Sequence, residues 1–335
     1  MAAPVSASPA STVPPASPPA RPGRAASRAL VYAWVTLGIV LATILVGAVV
    51  RATHSGDGCG ASWPGCQGGF VLPGTSDMAH LIEFSHRTIS GVSLLAMVAL
   101  VIVVFRTFAA AHPARRAVLW SAGFLVLEAL IGAAIVLYGW VADDRSLARQ
   151  VSVPLHLVNT FLLTAAMAAT IWFIAGGAVP ALRAYRRRAW RLAGLAGVLL
   201  LIAATGATTS LADTLFAVDS LADGVRQDFD GESALIVRLR VVHPFVAIAG
   251  GVVLAWFAWR HLDESERRGQ PWPARIVVFG VALQAMLGVV HIALLTPLAT
   301  ALLHLFIAQA LWIALAFLAL VLLAPNDERE AARGV

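Results

Sequence analysis

Eight long apolar runs divide this chain and leave few folds open to it. A helix of about 20 apolar residues crosses the ~30 Å hydrocarbon core of a bilayer. Lipid offers no partner to a free backbone N–H or C=O group, so each run must form a continuous helix. We predict membrane spans at 29–50, 79–105, 117–138, 151–175, 192–212, 235–259, 275–296 and 298–323, with a tight turn between the last two.

The composition excludes several classes of protein. The chain is 59% hydrophobic and 13% charged, whereas soluble domains are roughly 45–50% apolar and about 25% charged. This excludes a cytosolic enzyme, a secreted disulfide scaffold and a disordered protein. The net charge of +6 does not indicate a nucleic-acid partner, because all 24 basic residues are Arg and they cluster in short segments between the apolar runs.

The distribution of these arginines predicts the orientation in the membrane. Seventeen lie in the two terminal segments and in the loops 106–116, 176–191 and 260–275, and seven lie on the other side. Loops rich in Arg stay in the cytoplasm. We therefore expect a multi-pass membrane protein with both termini cytoplasmic. The first run is longer than a signal-peptide core of roughly 7–15 residues, so it should be a retained helix.

Three pairs of segments indicate an internal repeat. They are GAVVRATHS (47–55) with GATTSLADT (206–214), LEALIGAAIVL (127–137) with LQAMLGVVHIA (283–293), and LHLVNTFLL (155–163) with LHLFIAQAL (303–311). Repeats of the same orientation are related by an axis along the membrane normal. The predicted fold is an all-α membrane protein whose eight transmembrane helices form two four-helix bundles related by a pseudo-twofold axis.

This repeat divides the chain into five predicted segments. The tail 1–28 is rich in Ala, Pro and Ser and is expected to be disordered and cytoplasmic. The N-terminal repeat covers 29–175 and the C-terminal repeat covers 192–323, with a cytoplasmic linker at 176–191 between them. A second cytoplasmic tail follows at 324–335.

Four of the nine histidines lie in the even-numbered spans near their predicted outer ends: His86, His156, His243 and His304. Ionisable residues inside a membrane are costly and are candidates for function. Side chains on facing helices of a bundle hold cofactors, and two histidines can ligate a haem iron. We expect one pair, His86 with His156, in the first repeat and a second pair, His243 with His304, in the other.

The two predicted sites differ at one position. Glu83 precedes His86 by three residues, whereas Arg240 precedes His243 by three, and residues at this spacing share a helix face. Arg240 is suited to pair with a haem propionate. Glu83 could act as a base, stabilise a cationic centre or form an ion pair with Arg87. The asymmetry suggests a permanent haem in the second repeat and a reacting one in the first.

Other polar residues leave alternatives open. Cys59 and Cys66 in the first outer loop are enough for one bridge, which could be structural or could relay electrons. Glu128 in the third span could carry a proton, although its repeat counterpart Gln284 favours hydrogen bonding between helices. His291 in the seventh span has no counterpart. His112 and His261 are expected in solvated inner loops; His54 and His80, near the first outer loop, are ambiguous.

Two motifs resemble a known family. GCGASWPGC (58–66) resembles the cysteine-containing outer loop of bacterial haem A synthases, and EFSHRTISG (83–91) is similar to that family's second-helix motif. The resemblance implies oxidation of the C8 methyl of haem O to the formyl of haem A, for cytochrome c oxidase, in a bacterial cell membrane. It also implies a Cys59–Cys66 disulfide and a catalytic Glu83.

By the same resemblance, His243 and His304 would hold a haem b cofactor, and His86 and His156 would flank the substrate haem. Arg87, Arg238 and Arg240 are candidates to bind propionates. A haem O synthase and an electron donor are the expected partners, and the oligomeric state is open. The alternatives are a di-haem electron-transfer protein and a haem chaperone or exporter without catalysis.

Overall fold

A computed structural model describes residues 23–66, 69 and 77–325 of the chain. These residues are mainly helical. The helices are α1 (Arg24–Ala52), α2 (Met78–Thr107), α3 (Pro113–Leu137), α4 (Leu147–Ile174), α5 (Arg186–Leu215), α6 (Leu221–Phe229), α7 (Leu235–Arg238), α8 (Val242–Arg260), α9 (Leu262–Arg267), α10 (Trp272–Ala293) and α11 (Leu298–Leu323).

Eight helical segments of the described chain are long and apolar enough to cross a membrane, as predicted. Seven of them are single helices. The remaining one, the sixth along the chain at Leu235–Arg260, consists of α7, a 3₁₀ turn at Leu239–Val241 and α8. Pro244 explains the irregular turn, because a proline has no N–H for the bond to residue i−4 and its ring crowds that carbonyl. The turn places His243 in the first turn of α8.

Some helix ends differ from the predictions. Helix α1 begins at Arg24, so 24–28 continue the first span instead of belonging to the tail. The predicted tail residues 1–22 and 326–335 lie outside the described residues. Helix α10 ends at Ala293, and Leu295 and Thr296 turn the chain with positive φ angles of 59° and 57°. Because the three residues before Pro297 form this turn, the predicted seventh span was too long at its end.

Each half of the chain closes a ring of four spans. In the first half α1 packs on α2, α2 on α3, α3 on α4 and α4 on α1; in the second half α5 packs on α8, α8 on α10, α10 on α11 and α11 on α5. One apolar cluster fills the first ring and another fills the second. Helices α4 and α11 are the most buried spans and contribute to the contact between the rings.

The contacts between the rings follow one pattern. They join α4 with α5, α1 with α11, and α4 with α11. Exchanging α1 with α5 and α4 with α11 leaves this set unchanged, as a twofold relation requires. Arg51 on α1 also hydrogen-bonds Ser210, its own counterpart in the sequence repeat. These contacts support the pseudo-twofold axis, which stays a prediction.

The two ends of the bundle carry different loops. We name the end with the loops 53–66, 139–146 and 216–234 the cysteine end, and the opposite end the arginine end. At the arginine end Glu264 pairs with Arg188 at 2.7 Å and with Arg268 at 2.9 Å. Partial burial would raise the pKa of Glu264, but the two guanidinium groups reverse this and hold the pKa below its usual value. This ion-pair network joins the start of α5 to the loop after α8.

Candidate functional site

His243 and His304 face each other in the second ring. Their ring centroids lie 6.5 Å apart. With metal–imidazole bonds of about 2 Å, two imidazoles on opposite sides of one ion have ring centres roughly 6 Å apart. The observed spacing therefore fits a single iron between them. The Nδ1 of His243 contacts the Thr205 hydroxyl at 3.2 Å, which orients that ring.

His86 and His156 form the corresponding pair in the first ring. The two residues are near enough to interact electrostatically. Within the described part of the chain, the buried Nδ1 atoms of His86 and His304 have no hydrogen-bond partner, and Nδ1 of His156 has only the Glu128 carboxylate at 3.5 Å. Buried ring nitrogens without partners are costly in an apolar bundle. Imidazoles at such positions fit the role of ligands to a metal-containing group.

Four glycines make room for the four histidine rings. An added Cβ would lie 2.9 Å from Cε1 of His86 at Gly47 and 2.9 Å from Cε1 of His243 at Gly206. The contacts are looser in the other two cases, at 3.8 Å for Gly132 with His156 and 3.4 Å for Gly288 with His304. These glycines are counterparts in the sequence repeat, Gly47 with Gly206 and Gly132 with Gly288. The same contact therefore occurs in each half of the chain.

Replacing Gly47 or Gly206 by alanine is expected to displace the histidine ring that it contacts. A separation of 2.9 Å is too short for two carbon atoms, so the imidazole must move. Each variant should weaken haem binding to its own pair, measured as haem absorbance per mole of purified protein after titration with added haem b. Gly132→Ala is the matched control, because its Cβ has ordinary contact distance at 3.8 Å. Equal haem content in all three variants would contradict this role.

Glu83 is buried beside the cysteine loop. Its side chain pairs with Arg87 at 2.5 Å, which is the ion pair that the sequence allowed. Its other oxygen accepts a hydrogen bond of 2.7 Å from the backbone N–H of Cys59. Arg87 also donates to the carbonyls of Ser62 and Gly65. Both residues therefore hold the loop against α2, and the loop in turn fixes the carboxylate.

Cys59 and Cys66 form the disulfide that the sequence resemblance implied. Both residues belong to the first loop of the cysteine end, and both are buried. The buried His80 brings a ring nitrogen to within 4.8 Å of the two sulfur atoms, and its Nε2 has no partner among the described residues. The sulfur atoms are bonded to each other, so this cluster is a disulfide packed against an imidazole. Part of the predicted loop, 67–68 and 70–76, lies outside the described residues.

Two of the three predicted propionate-binding arginines have other partners. Arg240 is buried and pairs with Asp213 at 3.2 Å and with Asp228 at 2.9 Å. Arg87 pairs with Glu83 as described above. Arg238 is exposed at the end of α7. Among the three, two guanidinium groups are thus already neutralised by carboxylates of the chain.

Glu128 and Gln284 make different contacts at equivalent positions. Glu128 accepts hydrogen bonds from Asn159 and Thr160 on α4, and its Oε1 lies 3.5 Å from Nδ1 of His156. Gln284 donates instead to the backbone carbonyl of His304 at 3.0 Å. The contacts of Glu128 are those of a residue that joins two helices, and they also place a carboxylate behind one histidine of the first pair.

His291 lies close to the second pair. Its ring is nearly parallel to that of His304, with a centroid distance of 6.4 Å, and its Nδ1 contacts the hydroxyl of Thr300 at 2.7 Å.

The remaining histidines lie in loops. His54 pairs with Asp143 across two loops of the cysteine end. His112 and His261 lie in loops of the arginine end.

Two further arginines were missed by sequence reasoning. Arg149 is buried and Arg51 is half-buried near the first site. Nothing in their sequence neighbourhood separates them from the other arginines at the outer helix ends. Their importance becomes visible only from burial and from the groups that their side chains contact.

Together these features define a membrane-embedded helical protein with two intramembrane histidine pairs that fit haem ligation. Comparison with known proteins agrees with this class. The model of the COX15-CtaA family, described as cytochrome oxidase assembly protein, matches residues 30–316. The chain belongs to this family, and the resemblance to haem A synthases is confirmed at the level of the family.

Individual relatives match parts of the chain. Proteins from two strains of Thermus thermophilus, both named protoheme IX farnesyltransferase, are 40% identical over 279 residues, which is 82% of this chain and 45% of theirs. Heme A synthases of Staphylococcus saprophyticus and Staphylococcus aureus are 40% identical over 121 residues, which is 36% of this chain and 39% of theirs. The chain thus matches less than half the length of each of these relatives.

Proposed function

We propose that this protein is a haem A synthase, which oxidises the C8 methyl group of haem O to the formyl group of haem A. The observation that carries this proposal is the difference between the two histidine pairs. Glu83, a buried carboxylate, lies three residues before His86, whereas the equivalent Arg240 is bound by two carboxylates. Two identical haem sites of a plain electron carrier would not require this difference.

Haem b is the proposed resident cofactor, held by His243 and His304. The 6.5 Å spacing of their rings supports this assignment. The bound group supplies one-electron transfer chemistry at this site. Gly206 and Thr205 keep the His243 ring in place, and Gly288 leaves room for His304. The segment 192–323 is then the cofactor repeat.

Haem O is the proposed substrate of the first pair, His86 and His156, within the segment 29–175. With water as the source of oxygen, conversion of the methyl group to a formyl group releases four electrons and four protons, so an electron acceptor and a proton acceptor beside the reacting carbon are both needed. We assign the role of proton acceptor to Glu83, on the same helix face as His86. Arg87 and the N–H of Cys59 keep the carboxylate in one orientation. The disulfide loop is thereby a support for the catalytic residue.

The proposed setting is a bacterial cell membrane with the cysteine end outside and both termini in the cytoplasm. The excess of arginine at the opposite end favours this orientation. A haem O synthase is the expected supplier of substrate. The Thermus relatives support this partner, because they are named protoheme IX farnesyltransferase and more than half of their length lies outside the match. A redox partner that exchanges electrons with the bound haem completes the set of partners.

Pigment analysis of cells tests this function. The chain is expressed with a haem O producer in a host that makes no haem A, and the haems are extracted and separated. Haem A is expected only when both proteins are present. Unchanged haem O with haem bound to the purified protein would overturn the enzyme assignment and favour a chaperone or an electron carrier.

A further inference from the structure

Arg149, at the start of α4, is a buried arginine. Its side chain is 3% exposed, and Nη1 donates to the backbone carbonyls of Ala142 and Asp144. Within the described residues its Nε atom has no partner and no carboxylate oxygen forms an ion pair with it, although Asp143 and Asp144 act on it at longer range. A buried charge in this state is costly unless something else compensates it.

Arg51, at the end of α1, adds a second positive charge at the same place. It donates to the backbone carbonyl and the hydroxyl of Ser210 and to the hydroxyl of Thr214, all of which are uncharged. Its charge and that of Arg149 are near enough to repel each other. Asp213 offsets part of this repulsion, but that carboxylate is bound directly to Arg240. Two neighbouring guanidinium groups held mainly by neutral acceptors form a site for an anion.

The helix positions place both arginines beside the first histidine pair. Arg149 precedes His156 by seven residues, which is two helical turns, so the two share a face of α4 and lie about 10 Å apart along it. Arg51 follows Gly47 by four residues, and Gly47 contacts the His86 ring. Both arginines therefore extend from helix turns between this pair and the cysteine end, and the guanidinium group of Arg51 reaches α5. Such a distance is comparable to the reach of a haem from its iron to its propionate carboxylates.

Two of the three arginines that were predicted to bind propionates already form ion pairs with carboxylates of the chain. Arg87 is neutralised by Glu83, and Arg240 is neutralised by Asp213 and Asp228. Arg238 is exposed. Arg149 is instead buried, has an unpartnered donor among the described residues and lies on the correct helix face.

We propose that Arg149, assisted by Arg51, binds the propionate carboxylates of the porphyrin held at the His86–His156 pair. This inference rests on the proposed function, because it requires a haem at that pair. The guanidinium fork of Arg149 gives its unpartnered Nε to a carboxylate oxygen, and the two positive charges attract the anionic edge of the ring. This contact fixes which edge of the substrate faces the cysteine end and directs the methyl groups of the two propionate-bearing rings towards that end.

A pair of probes tests the contact directly. Purified full-length protein is titrated with haem b and with its dimethyl ester, whose propionates are uncharged, and binding is followed by the absorbance change. The same titration is repeated with His86 and His156 both replaced by alanine. The part of the absorbance change that this double variant lacks reports binding to the first pair. The wild-type protein should bind the diacid about 10- to 100-fold more tightly than the diester, since hydrogen bonds between charged groups are the strong ones.

Arg149→Gln is expected to remove most of this preference, because the affinity for the diacid should fall while the affinity for the diester stays unchanged. Arg149→Lys should retain part of it, because the charge remains while the fork is lost. Arg145→Gln is the matched control: Arg145 is exposed, lies four residues earlier and stacks on Phe216, so the preference should persist.

Two results would overturn the inference. If Arg149→Gln weakens both probes equally, Arg149 only supports the fold. If it weakens neither probe, Arg149 has no role in binding the propionates. The proposed function fails separately, when no probe gives a spectrum that depends on His86 and His156.

Discussion

Glu83→Gln is expected to lower haem A formation by a factor of about 10² to 10⁴, the usual contribution of a positioned general base. Haem binding should persist, because Glu83 contacts Arg87 and the Cys59 N–H and is not itself one of the paired histidines. The measurement is haem A per mole of protein in the co-expression system, with the haem absorbance of the purified variant as the second readout.

The ion pair with Arg87 supplies the control for this experiment. Arg87→Gln breaks the same pair from the other side and leaves the carboxylate in place. If Glu83 accepts a proton, Glu83→Gln should be far more damaging than Arg87→Gln. Equal losses in the two variants would mean that only the ion pair and its attachment of the cysteine loop matter, and Glu83 would then be a structural residue.

Alanine at His243 or His304 is expected to remove the haem that purifies with the protein, whereas alanine at His86 or His156 should leave it. His243 and His304 are the residues that would hold the cofactor iron, and the 6.5 Å spacing of their rings fits one ion between them. The variants of the first pair should instead fail to convert haem O. Absorbance spectra and pigment extraction of the same four preparations give both results.

This comparison also separates the enzyme from a di-haem carrier. A carrier with two permanent haems would lose half of its haem in all four variants. An enzyme with one cofactor and one substrate would lose it only in the His243 and His304 variants. A haem that depends on His86 and not on His243 would reverse the assignment of the two pairs.

The spans and the histidine pairs were predictable because the membrane restricts what the sequence can do. Lipid requires helices of a certain length, and arginines mark the loops between them, so helix number and order followed from apolar runs alone. The histidines were equally visible, since a polar residue within an apolar run has few reasons to be there. The glycines that contact them could have been found from the repeat, in which Gly47 aligns with Gly206.

The partners of charged groups were not predictable, because they depend on loops that pack against helix ends. Spacing along α2 allowed the Glu83–Arg87 pair, but nothing in the sequence indicated that Cys59 donates to Glu83. Arg240 was predicted to bind a propionate. Its two carboxylate partners come instead from α5 and from the short helix α6. The helix α6 itself was missed, because its short, charged segment has no apolar run.

The position of Arg51 has a thermodynamic consequence for the whole molecule. Its backbone belongs to the first ring, yet the three hydrogen-bond acceptors of its side chain belong to α5 in the second. Any ligand that draws on this guanidinium therefore changes the free energy of contacts in both halves. Such coupling is reciprocal: occupancy of one half alters the affinity of the other by the same factor in either direction. If a substrate haem binds Arg51 as proposed, its affinity and that of a cofactor in the second ring are then expected to be coupled.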